Sequence, residues 1–101
     1  MSDEFWDVAT PLLAEGLIDE GTIMSGRCVR ARGEFVAMPN HKGPGLVVKL
    51  HRDRVAELID DGDGQSFAPA GKVFKEWVLI EEFDESAWEA LIREAVVFVS
   101  T

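Results

Sequence analysis

Gly62-Asp63-Gly64-Gln65-Ser66-Phe67-Ala68-Pro69-Ala70-Gly71-Lys72-Val73-Phe74-Lys75-Glu76-Trp77-Val78 decides the reading of this chain, because it packs a helix terminator, a tight turn and a long strand into one short stretch. Gly62 follows a helical pattern and is placed to end it in the left-handed conformation. Ala68-Pro69-Ala70-Gly71 puts Pro at the second turn position and Gly at the fourth, the signature of a type I turn. Ser66 to Ala68 and Val73 to Glu81 then read as a hairpin of one short and one long strand. One face of the long strand carries Val73, Lys75, Trp77 and Leu79, and the other carries Phe74, Glu76, Val78 and Ile80. Both faces are mixed, so alternation alone does not say which one points outward.

Working outward toward the N-terminus, His51 to Asp61 carries Val55, Leu58 and Ile59 at helical spacing. Before it, Leu46, Val48 and Leu50 alternate with Val47 and Lys49 as a strand, preceded by the Gly/Pro loop of residues 39–45. Cys28 to Arg32 and Phe35 to Met38 flank Gly33-Glu34, and Gly at the first central position suits a type II′ two-residue turn. That turn predicts Arg32 opposite Phe35 and Arg30 opposite Ala37 on an outer face, with Ala31 opposite Val36 and Val29 opposite Met38 on the core side. Phe5, Val8, Ala9, Leu12 and Leu13 form the stripe of a first helix with Ser2 as N-cap candidate. Pro11 either kinks that helix or restarts it with Thr10 as cap. At the other end, Asp84 or Ser86 opens a last helix whose stripe is Trp88, Leu91, Ile92, Ala95, Val96 and Val99.

The predicted order is α-β-β-β-α-β-β-α. Hairpin-length links require antiparallel neighbours, so the fold class is α+β: a two-layer α/β sandwich, an antiparallel sheet with the helices on one face. The 101 residues suit a single domain, 1–101, and 47% apolar content is that of a globular chain. The longest apolar run, Ala95 to Val99, is far short of a spanning helix, so no membrane contact is expected. Met1-Ser2-Asp3-Glu4 is acidic, unlike a secretory signal, and Cys28 is the single cysteine, which fits a reducing cytoplasm.

The net charge of −9 weighs against a nucleic-acid partner. It conceals a segregation. Arg27 to Arg54 holds seven basic residues against two acidic ones, a local +5, while the remainder holds three basic against seventeen acidic, or −14. Either the strands are basic, the helices acidic, and the two pair within the fold, or a positive face is presented to a partner. The register places Arg30, Arg32, Phe35 and Lys49 on the outer sheet face. Lys75 and Trp77 join them if that side of the long strand points outward. If it points inward, Trp77 is core and Lys75 lays its stem along it.

Sites for chemistry do not emerge. Between Gly64 and Gly71-Lys72 six residues intervene and Val73 follows the Lys, so the phosphate-loop pattern fails. A calcium loop begun at Asp61 would put Ser66 and Lys72 where Gly and Glu are required. Cys28, His41 and His51 lack zinc-ligand spacing, and Cys28 on a strand reads as a small buried hydrophobe. No catalytic, cofactor or metal residue is assigned. A Cys28 nucleophile with His41 as base is the remaining enzymatic alternative.

The quoted stretch, with Gly45-Leu46-Val47-Val48-Lys49-Leu50 and Arg54-Val55-Ala56-Glu57-Leu58-Ile59, resembles small bacterial proteins related to the N-terminal domain of the competence regulator TfoX. Ile23-Met24-Ser25-Gly26 and Gly33-Glu34-Phe35-Val36-Ala37 resemble the same family's Met-containing Gly stretch and Gly-x-Phe-x-Ala hairpin. The resemblance runs from about Gly21 to Val99. It departs at Ser25-Gly26-Arg27, where family members often carry an aromatic or Gly-Gly, and the regulator's C-terminal domain has no counterpart here. It implies a fold like that of secretion chaperones and a non-enzymatic, cytoplasmic protein-interaction domain. The partner is a protein of unstated identity, with a homodimer as one form of contact. A competence or transcription regulator that touches nucleic acid through the basic strand face is the alternative.

Overall fold

The computed structural model describes residues 4–23, 26–40, 43–68 and 71–101. Three helices and six strands follow in the order α1 (Glu4–Glu15), β1 (Asp19–Ile23), β2 (Gly26–Ala31), β3 (Glu34–Pro39), β4 (Leu46–Lys49), α2 (Arg52–Asp60), β5 (Gln65–Phe67), β6 (Phe74–Ile80) and α3 (Glu85–Val99). The strands form one sheet in the spatial order β1-β2-β3-β4-β6-β5, antiparallel at every pairing. This is the expected α+β class, with one strand more than the sequence reading counted. The extra strand, β1, is Asp19-Glu20-Gly21-Thr22-Ile23, poor in β-formers because it is an edge, where acidic side chains discourage pairing with another chain.

Each helix starts and stops for local reasons. The Asp84 carboxylate accepts from the Ala87 N–H at 3.0 Å and caps α3, and His51 Nδ1 accepts from the Asp53 N–H at 3.1 Å and caps α2. Gly62 ends α2 with φ +81°, and the Asp63 and Gly64 amides both donate to the Leu58 carbonyl. Pro11 neither restarts α1 nor yields its place to Thr10 as cap: the helix runs unbroken through it. Pro11 lies on the exposed side of the helix. The Ser2 cap lies outside the described residues. So do Pro69 and Ala70 of the type I turn, although the Gly71 amide donates to the Ala68 carbonyl as such a turn requires.

The hairpin between β2 and β3 corrects the sequence reading. Arg32 and Gly33, not Gly33 and Glu34, are its two loop residues, with φ +54° and +80°. Both are left-handed, which is a type I′ turn. Arg30 therefore faces Phe35, and Val29 faces Ala37, with Val36 inserted as a bulge between them. The bulge changes the side that each later residue takes. Val36 and Ala37 both join the helix-covered core, whereas Met38, expected under the helices, lies on the opposite face.

The helices cover one sheet face. α3 packs on β3 and β4, α2 on β6 and β5, and α1 on α3. Val29, Ala31, Val48, Val78 and Ile80 from the sheet meet Leu12, Val55, Leu58, Trp88 and Ile92 in one buried core. Gly64 is where α2 comes down on β6: a Cβ there would lie 2.6 Å from the Val78 Cγ2, so only glycine fits without movement.

Candidate interaction surfaces

The opposite sheet face has a cluster of its own. Cys28, Phe35, Met38 and Val47 are buried there, with Ile23, Phe67, Trp77 and Leu79 half-buried against them, and no helix residue belongs to the cluster. Trp77 is its centre: the Phe35 ring stacks on it at 4.3 Å and 16°, Phe67 lies at 5.6 Å and 22°, and Phe74 meets it edge-on at 5.0 Å. The Trp77 side of β6 therefore points away from the helices. Phe74, expected on the other side, reaches the same rings because the β5–β6 register slips between Ser66 and Phe67.

The basic residues predicted for this face have divided roles. Lys49 stands directly across β4–β6 from Trp77, half-buried. Lys75 is exposed, while Arg32 sits in the exposed turn and not on a strand. Among the described residues none of these three has an ion-pair partner. Arg30 is a clasp within the sheet. Its guanidinium donates to the Thr22 carbonyl at 2.8 Å and the Gly33 carbonyl at 3.2 Å, and its stem lies on Gly21, where a Cβ would come within 2.6 Å of Nε. Cys28 is buried beneath, and burial pushes its thiol pKa up, opposed by the nearby Arg30. That is the reverse of an activated nucleophile. His41 lies outside the described residues, and the described ones contain no cluster of metal-ligating side chains.

Three further arginines pair with carboxylates of β1 and of the helices. Arg27 pairs with Glu20 at 2.7 Å and stacks 3.9 Å above Trp6 of α1. Arg93 joins Glu15 of α1 and Glu89 of its own helix, at 2.9 and 3.0 Å. Arg54 bonds Glu94 at 3.0 Å, with Glu57 as a second partner, and these carboxylates hold its guanidinium above its ordinary pKa. Charge segregation is thus largely internal pairing, with Lys49 beside Trp77 unpaired among the described residues.

A second feature escaped the sequence reading. Between α2 and α3, over the end of β6, lies a groove of about 660 Å³. Leu58, Ile80, Trp88 and Leu91 give it apolar surface, Ala87 and Ala90 keep one wall low, and Asp63, Glu81, Glu82, Asp84 and Glu94 line it with a single cation, Arg54. The run Glu81-Glu82-Phe83-Asp84-Glu85 was the available signal. It reads as a solvated linker until the chain reversal brings it beside the end of α2.

No family model, curated protein or solved structure matches the chain. Among the described residues, fold and surfaces define an α+β arrangement with one sheet face under helices and the other clad by the sheet's own side chains. No described helix is long and apolar enough to cross a membrane.

Proposed function

We propose that the chain is a non-enzymatic protein-interaction domain that meets its partner with the helix-free sheet face. The observation that carries this reading is the ring cluster around Trp77, half-buried on a face that no described helix covers and bordered by Lys49, which has no ion-pair partner among the described residues. Half-exposed aromatics with adjacent free cations suit a partner surface with an apolar centre and acidic rim. The resemblance to TfoX N-terminal relatives supports the same reading and a cytoplasmic setting, and a second copy of the chain is one candidate partner.

The nucleic-acid alternative draws on the same lysines, but the Phe35 and Trp77 rings already stack on each other, which occupies the faces that bases would use. The test is a variant carrying Lys49→Glu, Lys75→Glu and Trp77→Ala. Cross-linking in the source cell should capture a protein with the wild type and lose it with the variant, and the purified pair should lose affinity as salt rises. Unaltered partner affinity in a folded variant overturns the reading. Salt-sensitive retention of a single-stranded oligonucleotide by the wild type would replace it with the nucleic-acid one.

A further inference from the structure

We propose that the groove between α2 and α3 is a second docking site, built for a cationic amphipathic helix of a partner protein. This inference rests on the helix side of the molecule and stands apart from the helix-free face. The groove's volume, about 660 Å³, falls in the range of roughly 300–1,000 Å³ typical of ligand sites. Its shape is that of a trough and not a small-molecule pit: the lining follows α3 from Asp84 to Glu94, a length of about 15 Å at 1.5 Å per residue. Such a trough accommodates about three turns of a guest helix whose apolar side chains fill the floor. Ala87 and Ala90 leave room for those side chains on the α3 wall, and both are exposed at present.

The charge of the lining selects the guest. Five carboxylates face one guanidinium, and that guanidinium is already engaged by Glu94 and Glu57. Glu81 accepts from the Gln65 side chain and Asp84 from the Ala87 amide, each leaving a negative charge at the margin. An anionic ligand is repelled. A second copy of this chain is a poor guest too, because none of its helices is cationic: α1 carries Glu4, Asp7 and Glu15 with no base, α2 two arginines against three acids, and α3 one arginine against three. A guest with leucine-like residues on one face and lysine or arginine at its flanks satisfies both the floor and the rim.

The test titrates the isotope-labelled full chain with a synthetic peptide of about fourteen residues, leucine and lysine at helical spacing. Amide shifts should concentrate at Leu58, Gly64, Leu91 and the Trp88 indole, and the peptide should become helical on binding. Ala90→Trp fills the trough without altering charge and should weaken binding about tenfold, as loss of a central anchor does. Glu81→Gln with Glu82→Gln should weaken it less and flatten its salt dependence. Asp19→Asn with Glu34→Gln, removing the same charge away from the groove, should leave it unchanged. A peptide of the same composition scrambled to destroy the apolar face should not bind. Equal binding of the scrambled peptide, shifts that fall on the helix-free face, or equal affinity in the groove and distant charge variants would each overturn the proposal. The shift map needs only the wild-type protein, so it decides even if Ala90→Trp does not fold.

Discussion

The sheet buries apolar side chains on both of its faces, but by different means. Beneath the helices, Val48, Val78, Trp88 and Ile92 are enclosed by elements from distant parts of the chain. On the other face, Cys28, Met38 and Val47 are equally inaccessible, yet what lies on them is Phe67, Trp77, Leu79 and the Arg30 clasp, all projecting from the sheet itself. A cover of helices is fixed by its own backbone bonds and caps. A cover of side chains is fixed only by rotamers and ring contacts, so it can rearrange toward a partner without unfolding. The comparison assigns stability to the first face and adaptability to the second.

The largest effect should come from the helix-covered face. Trp88 is 1% exposed, and its indole N–H donates to the Glu82 carbonyl at 3.0 Å. Trp88→Ala should cost about 3–5 kcal/mol in urea unfolding, and Leu91→Ala about 2–5 kcal/mol. Losses under half a kilocalorie would place the last helix at the periphery and break the comparison at its stronger end.

Phe35→Ala tests the weaker end. The ring is 6% exposed, but its neighbours Trp77 and Phe67 are half-buried and free to sink into the space it leaves. A loss of about 2–3 kcal/mol is expected, at the low end for a buried aromatic because the cavity can collapse. A cost matching that of Trp88→Ala would mean that the side-chain cover is as rigid as the helical one. Combining Phe35→Ala with Trp77→Ala sharpens the point: a double-mutant cycle should return a coupling of about 0.5–1.5 kcal/mol for the stacked pair. Additive losses would show that the rings pack without specific stacking.

How much of this was legible depends on the range of the forces involved. The three helices, their stripes and the Asp84 cap are local patterns, and the structure has them. The β2–β3 register turned on one residue. Gly33 permits either turn type; in the structure Arg32 also takes the left-handed conformation, and Arg30 bonds the Gly33 carbonyl across the turn, neither of which a glycine count records. The Val36 bulge carries Met38 to the helix-free face, so simple alternation places Phe35 and Lys49 correctly on that face and Met38 wrongly under the helices. β1 was missed because its polar sequence is chosen for an edge and not for a core. The groove was invisible for a different reason: its acidic lining comes from the segment after α2, the segment after β6 and Glu94 of α3, which only the fold joins.

Acid titration should reveal the smallest difference between the faces. Arg93 holds the Glu15 carboxyl below its ordinary pKa, chiefly by hydrogen bonding, and Arg27 does the same for Glu20. A carboxylate whose folded pKa is depressed stabilises the native state above its unfolded value and loses that contribution as pH falls through the folded value. Both pairs bind the helices or the helix-side edge of the sheet, and both are open to water, so each contributes little. Among the described residues neither Lys49, on the helix-free face, nor Lys75 has an ion-pair partner. Glu15→Gln with Glu20→Gln should therefore reduce the loss of stability between about pH 5 and pH 3, measured by thermal melting, while Lys49→Gln leaves that slope as it is. An altered acid slope in the lysine variant would reveal a carboxylate paired with it in solution, and the helix-free face would then hold its charge by internal pairing, as the helix-covered face does.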